Sequence, residues 1–410
     1  MTAPVYDELR DRGFIAQVTA EEALAELMAR GITCYVGFDP TASALHVGHL
    51  LPIMALMHMQ RCGHRPVVLL GGGTAMIGDP SGKNEMRRIL SREEIEDNAG
   101  KIKQQFSRYL DFADGKALML NNAEWLLSLN YIAFLRDIGR HFSVNRMIAS
   151  ESYKVRLETG LNFIEFNYML LQSYDFLHLY REHGCVLQMG GNDQWGNIVA
   201  GMDLVRRITG GTVYGMTFSL ITTAAGQKMG KTESGAVWLD AEKTSPYEYY
   251  QYWINTDDRD VERFLLLFTM LPVEEIKEYT RQQGNSLQKA KEILAFEATS
   301  ITHGLDAAKK AQESARSIFY GEGSDIDSLP TTPITRERLQ QGIPAYVLFE
   351  ETDLSASRAE ARRLIQEGGA YINGERVSNF DEMIGEANFK EGSLILRAGK
   401  KRYHRIIVVK

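Results

Sequence analysis

Cysteine is scarce in this sequence, and its placement argues against the protein classes that depend on it. The 410 residues contain three cysteines, Cys34, Cys62 and Cys185, with no CxxC pair among them. A disulfide framework or a zinc finger would need more cysteines, or metal ligands at short fixed spacings. We therefore expect neither, and we expect no metal site built by the protein itself.

Long apolar runs are also missing. No stretch approaches the roughly 18 consecutive apolar residues that indicate a transmembrane helix. The first residues, MTAPVYDELRDRGF, are acidic and lack the apolar segment of a secretory signal. These absences predict a cytoplasmic protein that does not associate with a membrane.

A general excess of positive charge is absent as well. The net charge is -7, and 44% of the residues are apolar, as in an ordinary globular protein. The C-terminal end differs, because residues 343–410 carry eleven Lys and Arg against ten Asp and Glu. A local basic patch can bind RNA on an acidic body, so the overall charge does not exclude an RNA partner.

The order of strand-like and helical patterns indicates an α/β fold. The predicted strands of the first half are 33–38, 66–71 and 185–189, and the predicted helices are 48–62, 91–112 and 124–140. Their alternation is typical of a Rossmann-like parallel sheet covered on both faces, which binds ligands at the carboxyl ends of its strands. The pattern from 246 to 319 is helical instead.

The end of the chain reads as a small α+β domain after a linker. Residues 321–335 are rich in Gly, Ser, Thr and Pro, a linker composition. A helix at 355–367, capped by Ser355 or Ser357, precedes a hairpin around Asn373-Gly374 and strands at 394–398 and 405–409. The predicted division is 1–240 for the Rossmann-like domain, 241–322 for an all-helical domain, 323–342 for the linker and 343–410 for the small domain.

The first chemical motif directly follows the strand at 33–38. Residues 37–50, GFDPTASALHVGHL, contain a turn with proline and then a helix start near Gly48. His46 and His49 would project to one side of that helix, and a helix N-terminus attracts phosphate. Taken alone, the motif suits an ATP cradle, a helix start with two surface histidines, or a zinc pair without an obvious third ligand.

The second motif is QKMGKTESG, residues 227–235, after the strand-like run 218–222. Lys228 and Lys231 lie three apart with Gly230 between them. Such lysines form a cationic clamp that stabilises the charge building on a departing pyrophosphate. Taken alone, a lysine-rich loop is more often simply solvated.

Together the two motifs resemble the HIGH and KMSKS signatures of class I aminoacyl-tRNA synthetases. They stand here as His46-Val47-Gly48-His49 and Lys228-Met229-Gly230-Lys231-Thr232, in the family's order. Gly230 replaces the serine of the generic signature and leaves both lysines in place. Four further stretches make the chain similar, over essentially its whole length, to the bacterial-type tyrosyl-tRNA synthetases: 35–41, 78–83, 168–176 and 190–197.

The resemblance implies a two-step reaction. L-tyrosine and ATP would give tyrosyl-adenylate and pyrophosphate, and the tyrosyl group would then pass to the 3′ end of tRNA(Tyr). It implies ATP as a substrate with Mg²⁺, no bound prosthetic group, and a homodimer with contacts from an inserted segment at about 125–165. Positioning and charge stabilisation suffice for such chemistry, so no protein nucleophile is required.

The resemblance also assigns residues to the tyrosine site. Tyr35 and Asp175 would bind the substrate phenol, and a pocket that pairs a hydroxyl rejects phenylalanine by roughly 10⁴–10⁵. Tyr168, Gln172 and Asp175 follow helical spacing and share one face. The implied ammonium ligands are Asp79, Tyr168 and Gln172, and the implied further substrate contact is Gln194.

A second set of implied residues handles ATP. The implied ATP ligands are Gly37, Asp39, Gly48, Asn192, Asp193 and Lys231, with the ribose on Asn192 and Asp193. The implied catalytic groups are Thr41 and His46 at the γ-phosphate, together with His49, Lys228, Lys231, Lys83 and Arg87. On the residues alone, Lys83 and Arg87 are equally typical of surface charge.

The C-terminal segment resembles a small RNA-binding domain first described in a ribosomal protein. Its predicted helix carries Arg358, Arg362 and Arg363, a positive stripe suited to RNA phosphates. On its own, this helix is also typical of a solvated face balanced by Glu360 and Glu367.

Three alternatives accompany this interpretation. A tryptophan-specific ligase would share the fold and both signatures, but the Tyr35–Asp175 pair and the C-terminal domain argue against it. A catalytically inactive RNA-binding paralogue is disfavoured by the intact signature residues. A dinucleotide oxidoreductase is suggested by Gly71-Gly72-Gly73, but the GxGxxG spacing is missing.

Overall fold

The computed structural model describes most of the chain in two units. The described residues are 5–81, 90–224, 226, 229–232, 235–281, 285–320, 329–389, 392–399 and 402–409. By their internal contacts, one unit comprises 1–230, 238–240 and 256–297, and the other comprises 231–237, 241–255 and 298–410. Within these ranges, no helix has both the length and the hydropathy of a membrane span.

The first unit is organised around one six-stranded sheet. Its strands are β1 Ile15–Val18, β2 Thr33–Phe38, β3 Arg65–Leu70, β4 Leu118–Asn121, β5 Cys185–Gly191 and β6 Tyr214–Phe218. They lie in the order β1-β6-β5-β2-β3-β4, with β1 antiparallel to β6 and the remaining pairs parallel. β2 and β3 are apolar almost throughout because helices cover both faces of a parallel sheet.

Helices alternate with these strands along the chain, and further helices follow in both units. Those that begin before residue 240 are α1 Val5–Asp11, α2 Glu21–Met28, α3 Leu50–Arg61, α4 Arg92–Phe106, α5 Ala123–Leu126, α6 Tyr131–Asp137, α7 Val144–Ala149, α8 Glu151–Thr159, α9 Phe163–His183 and α10 Trp195–Thr209. Those that follow are α11 Pro246–Ile254, α12 Val261–Phe268, α13 Val273–Thr280, α14 Asn285–His303 and α15 Leu305–Tyr320.

The long helix α9 is the element that carries most of the predicted tyrosine site. It begins with a capping box, in which Asn162 accepts from the Glu165 N–H and the Glu165 carboxylate accepts from the Asn162 N–H. It ends at Gly184, whose φ of 61° is the left-handed conformation that closes helices and favours glycine. The chain then enters β5 directly, and residues of both elements line one cavity.

The predicted strands of the first half are confirmed, and two helix predictions are wrong in detail. The predicted helix 124–140 is two helices, α5 and α6, because Asn130 stops the pattern and caps α6 by accepting from the Ala133 N–H. The predicted helix 91–112 ends at Phe106. The strand-like run 218–222 is strand only at Phe218, the last residue of β6.

The second unit contains the small C-terminal fold. Its strands are β7 Lys231–Thr232, β8 Gly235–Ala236, β9 Thr331–Thr335, β10 Ile343–Pro344, β11 Ala370–Ile372, β12 Glu375–Arg376, β13 Met383–Ile384, β14 Ser393–Ala398 and β15 Arg402–Val409, and its further helices are α16 Arg336–Gln340, α17 Ala345–Glu351 and α18 Arg358–Gln366. The five-stranded sheet has the order β12-β11-β14-β15-β9. The predicted hairpin is confirmed, since Asn373 and Gly374 both have positive φ, 48° and 85°.

The predicted linker at 323–342 is too long. Residues 321–328 lie outside the described ranges, but β9 and α16 occupy most of 331–342, and β9 pairs in parallel with β15. Pro333 gives the segment its linker composition, yet a proline fits this position because β9 is an edge strand. Composition alone does not separate such a strand from a linker.

Candidate active site

The carboxyl edge of the parallel sheet carries the candidate site. Here the segments after β2, β3 and β5 lie together around a cavity of about 210 Å³. The predicted residues that line it are Tyr35, Gly37, Asp39, Thr41, His49, Asp79, Tyr168, Gln172, Asp175 and Gln194. The cavity is smaller than the roughly 300–1,000 Å³ typical of sites for drug-sized ligands, so it suits a molecule of amino-acid size.

The deep end of the cavity holds Asp175, whose side chain is only 2% exposed. Its two carboxylate oxygens accept from Asn122 Nδ2 at 2.9 Å and from Trp125 Nε1 at 2.7 Å. Burial raises the pKa of Asp175 to about 7, although these two hydrogen bonds act in the opposite direction.

Tyr35 completes the deep end and lies opposite Gln188 in the register between β2 and β5. The phenol oxygen of Tyr35 and the Oε1 atom of Gln188 are buried, and neither has a hydrogen-bond partner among the described residues. Burial raises the pKa of Tyr35 well above its usual range, so its phenol is protonated. Unpaired buried polar atoms cost about 1–3 kcal/mol each, and a ligand hydroxyl here would pair them.

The middle of the cavity is a network of amide and carboxylate groups. Gln194 Nε2 donates to Asp79 at 2.7 Å, and Gln172 Nε2 donates to Gln194 Oε1 at 3.2 Å. Asn197 Nδ2 donates to Gln172 Oε1 at 3.0 Å, and the Ser81 N–H donates to Asp79 at 2.9 Å. The network presents one carboxylate and two amide oxygens, the acceptors that an ammonium group needs.

Asp39 connects Tyr168 on α9 to the segment that follows β3. Tyr168 Oη donates to Asp39 at 3.0 Å, and Thr74 Oγ1 donates to it at 2.8 Å. A Cβ on Gly71 would lie 1.9 Å from the Asp39 carboxylate, so only glycine fits there. The glycine run that suggested a dinucleotide site therefore serves close packing around the cavity.

The first signature motif forms the start of α3. A short 3-10 turn, Val47–His49, precedes the helix. His46 Nδ1 accepts from the Gly48 N–H at 3.0 Å, and His49 Nδ1 accepts from the His46 N–H at 3.1 Å. Because each Nδ1 accepts, the neutral rings carry their protons on Nε2 and can donate from that atom.

The described end of the second motif lies against the first motif. Gly230 has a φ of 80°, and a Cβ built on it would be 3.0 Å from the Gly48 nitrogen. Met229 is buried, and its N–H donates to the Ile221 carbonyl at 3.1 Å. The glycine that departs from the generic signature therefore sits where a side chain would be strained and crowded.

Four predicted cations lie wholly or partly outside the described residues. Lys228, Lys83 and Arg87 lie outside the described residues. Lys231 is described only through its backbone, which begins β7.

The predicted ribose ligands Asn192 and Asp193 lie on the turn after β5. They line a second cavity of about 700 Å³, while their neighbours Gly191 and Gln194 line the smaller one. Asn192 Oδ1 accepts from Gln17 Nε2 at 2.7 Å. Residues of this turn thus line both of these cavities.

The arginine stripe of the small domain lies on α18, as predicted, but its charges are engaged differently. Arg358 pairs with Glu350 at 3.3 Å, and Arg362 lies 4.0 Å from the ring centre of Tyr346. Glu360 binds the backbone at the start of the helix, where its carboxylate accepts from the Ala356 N–H. It therefore caps the helix and does not neutralise the stripe. Arg363 is exposed.

Around the deep end of the cavity, the sequence prediction missed Asn122, Trp125 and Gln188, and elsewhere in the site it missed Thr74, Ser81 and Asn197. Asn122 and Trp125 follow β4 directly and therefore reach the carboxyl edge of the sheet. A polar residue just after a predicted strand was an available signal for Asn122. Gln188 carried a signal too, as a polar residue inside an otherwise apolar strand. Within the described part of the chain, no three His, Cys, Asp or Glu side chains converge as a metal site would require.

Comparison with known proteins gives matches over both parts of the chain. The family described as "tRNA synthetases class I (W and Y)" matches residues 28–320, and the "Tyrosine--tRNA ligase SYY-like C-terminal domain" matches residues 325–406. The tyrosine–tRNA ligase of Desulfatibacillum aliphaticivorans is 56% identical and covers 100% of this chain and 99% of its own. That of Syntrophus aciditrophicus is 57% identical, with 97% of each chain covered.

A solved structure is similar as well. The C-terminally truncated mitochondrial tyrosyl-tRNA synthetase of Aspergillus nidulans aligns with a TM-score of 0.70 at 30% identity. The alignment covers 78% of this chain and 95% of that one.

Proposed function

The chain belongs to the class I tRNA synthetases for tryptophan and tyrosine, and on that premise we propose how its residues activate an amino acid. The enzyme joins L-tyrosine to ATP, forming tyrosyl-adenylate, and transfers the tyrosyl group to tRNA(Tyr), as its relatives over the whole chain indicate. The roles of individual residues below are the proposal.

The pairing of Tyr35 with Asp175 supports selection of tyrosine, and this observation carries the proposal. The protonated phenol of Tyr35 has no hydrogen-bond partner among the described residues and needs an acceptor. The Asp175 carboxylate accepts from Asn122 and Trp125 and has lone pairs left for one further donor. A phenol hydroxyl supplies both, whereas the indole N–H of tryptophan only donates and the ring of phenylalanine does neither. Neither tryptophan nor phenylalanine would form hydrogen bonds with both Tyr35 and Asp175, so the pocket disfavours both of these amino acids.

The amide network then orients the backbone of the substrate. We assign its ammonium group to Asp79, Tyr168 and Gln172, and its carboxylate to the side of Gln194. Asp79 contributes the negative charge, and its burial strengthens the attraction. With both ends of tyrosine held, one carboxylate oxygen is directed out of the cavity towards the nucleotide.

Adenylate formation is an in-line displacement at the α-phosphorus of ATP. A tyrosine carboxylate oxygen forms the new P–O bond, and the bond to the bridging oxygen breaks, so that pyrophosphate leaves with the electron pair. We assign Thr41 and His46 to the γ-phosphate, with the His46 Nε2–H as donor, and the backbone at Gly48 to ATP at the start of α3. His49 supports this turn through its cap on His46.

The remaining nucleotide contacts are proposed from the motifs. Gly37 and Asp39 line the cavity beside the expected α-phosphate, and Asn192 with Asp193 would bind the ribose. Lys228, Lys231, Lys83 and Arg87 would neutralise the pyrophosphate. Mg²⁺ enters as the MgATP complex, because magnesium is usually held by substrate phosphates with few protein ligands.

In the second step, the terminal adenosine hydroxyl of tRNA attacks the activated carbonyl of tyrosine and releases AMP. We propose that residues 343–410, together with the edge strand β9, form the small RNA-binding domain and that Arg358, Arg362 and Arg363 contact the tRNA backbone. The chain upstream of the linker would contain the catalytic domain, 1–240, and a helical domain, 241–322. A cytoplasmic location is part of the same proposal, because the tRNA partner is found there.

We further propose a homodimer formed through the segment around 125–165. Large apolar side chains are exposed there in unusual density, and exposed apolar patches mark interaction sites. Ile132 is 70% exposed and Phe163 is 67% exposed. The other exposed apolar residues of this segment are Leu127, Tyr131, Val144, Ile148 and Leu157.

The decisive experiment is amino-acid-dependent exchange of labelled pyrophosphate into ATP, with each of the twenty amino acids in turn. The proposal expects exchange with tyrosine alone. Exchange with tryptophan would retain the fold and overturn the assignment of Tyr35 and Asp175. A protein that binds tRNA but shows no exchange would be the inactive RNA-binding paralogue.

A further inference from the structure

Two charged residues at the start of α12 contact the segment that leads into the second signature motif. Asp260 is buried, and its carboxylate accepts from the Ala224 N–H at 2.6 Å. Arg263 donates to the other oxygen of Asp260 at 2.6 Å and also to the Thr222 carbonyl. The pair therefore binds one N–H and one carbonyl of the same short segment, 222–224.

This segment is connected to the catalytic motifs by contacts among described residues. Ile221, just before it, accepts from the Met229 N–H, and the Gly226 N–H donates to Thr223 at 2.8 Å. Gly230, which follows Met229, packs on Gly48 at the start of α3. A continuous set of contacts thus runs from the start of α12 to the His46–His49 turn, which we assign to the ATP phosphates.

The helix that carries the pair is itself firmly held. Arg12, only 2% exposed, donates to the carbonyls of Leu266, Thr269 and Leu271 at the C-terminal end of α12. Since α12 is fixed at its far end by a buried guanidinium, the position of Asp260 is fixed relative to the rest of the first unit.

We propose that Asp260 and Arg263 are positioning residues for adenylate formation, holding Thr222–Ala224 so that Met229 and Gly230 lie against the His46–His49 turn. Neither residue lines the tyrosine cavity. Their effect therefore falls on the nucleotide step and leaves tyrosine binding alone. The inference rests on the proposed role of the two signature motifs at the phosphates.

The test compares single-turnover formation of tyrosyl-adenylate with tyrosine affinity in the full-length protein. Asp260→Ala is expected to slow the reaction at saturating substrates by about ten-fold or more, because misplacement by about 1 Å can cost 10²-fold. Tyrosine affinity, measured by equilibrium dialysis, should change by less than about two-fold. Asp260→Asn keeps an oxygen for the Ala224 N–H and should recover most of the rate.

Asp257→Ala is the matched control, since Asp257 starts the same turn, pairs with Arg259 and, among the described residues, makes no hydrogen bond to 222–224. Its rate should stay native even if its melting temperature falls. The inference is overturned if Asp260→Ala slows the reaction no more than Asp257→Ala, or if it weakens tyrosine binding by the same factor. Arg263→Ala replaces Asp260→Ala if that variant does not fold.

His46→Ala, measured in parallel, distinguishes a failure of the positioning role from a failure of the proposed role of the first motif. If His46→Ala is slow and Asp260→Ala is not, only the positioning role fails. If His46→Ala itself has the native rate, the proposed role of the first motif fails, and the inference fails with it.

Discussion

The indole N–H of Trp125 donates to the Asp175 carboxylate at 2.7 Å, and Trp125 itself does not line the cavity. Asn122 binds the second oxygen at 2.9 Å. The two donors hold the orientation of a buried acid that would otherwise be free to rotate. They also favour its ionised form, which accepts the substrate hydroxyl.

Trp125→Phe should therefore weaken tyrosine binding without removing a residue that touches the substrate. A hydrogen bond to a charged group contributes about 1.5–3 kcal/mol, so the dissociation constant should rise by about 10- to 100-fold. Preference for tyrosine over phenylalanine should fall in parallel, as measured by pyrophosphate exchange. His178→Ala is the control, because it removes the ring stacked on Trp125 and leaves the N–H bond. An equal loss in both variants would contradict the prediction.

Tyrosine binding should depend on pH near neutrality. Burial raises the pKa of Asp175 to about 7, so the carboxyl becomes protonated as the pH falls below 7. If only the ionised form accepts the phenol O–H, tyrosine should bind about ten-fold more weakly at pH 6 than at pH 8. Equilibrium dialysis between these values measures the change. Asp175→Asn should show no such step, and a step that persists in this variant would assign the titration elsewhere.

The raised pKa of Asp175 also makes the free energy of unfolding depend on pH. Tyrosine binding is favoured by the ionised carboxylate, whereas folding is favoured by the neutral acid. The folded-state pKa lies above the ordinary value of 3.8, so folding is favoured by the neutral acid. That contribution is complete below pH 3.8 and is lost as the pH rises through about 7. Asp175→Asn should therefore gain thermal stability relative to the native protein as the pH rises from 5 to 8. A constant difference across this range would contradict the shift.

The sequence predicts the site best where residues with chemical functions fall at the spacing of a helix or directly after an apolar strand. Strand β2 and the motif after it were recognised because an apolar strand ends in a polar turn of unusual composition. Tyr168, Gln172 and Asp175 were placed on one face by helical spacing alone, and the structure brings them to one cavity.

Other features could not be read from local patterns. Trp125 reaches Asp175 only through the order of the sheet, which places the segment after β4 next to α9. The contact between Gly230 and Gly48 joins residues about 180 positions apart, so neither glycine carries a local signal of it. The edge strand β9 resembles a linker because its pairing partner, β15, follows some seventy residues later.

Gly230→Ala should impair adenylate formation while leaving the tyrosine cavity intact. The substitution places a Cβ 3.0 Å from the Gly48 nitrogen, in addition to the strain of a positive φ. Gly226→Ala is a close control, because Gly226 has nearly the same φ, 79°, and a Cβ there would meet nothing within 4 Å. Single-turnover rates should fall for the first variant well below the second. Equal rates would show that the contact with Gly48 has no catalytic importance.

Arg362→Ala should weaken tRNA charging and spare pyrophosphate exchange. Arg362 is an exposed cation whose guanidinium is held over the Tyr346 ring, so its charge is presented in one place at low entropic cost. Loss of one phosphate contact should raise the KM for tRNA and reduce the salt dependence of binding by about one charge. Arg10→Ala is the control, because it removes an exposed positive charge in α1, far in the sequence from Arg362. Equal effects of the two variants would remove Arg362 from the tRNA contacts.

Ile132→Asp should dissociate the proposed homodimer. A charge at a side chain that is 70% exposed costs little in the isolated chain, but burying it unpaired in an interface costs several kcal/mol. Sedimentation at micromolar concentration should therefore give the mass of two chains for the native protein and of one for the variant. Leu305→Asp, at a position 52% exposed and outside the segment 125–165, is the control that should keep the native mass. A native protein that already sediments as one chain would refute the homodimer, and an Ile132→Asp variant that still sediments as two would move the interface away from α6.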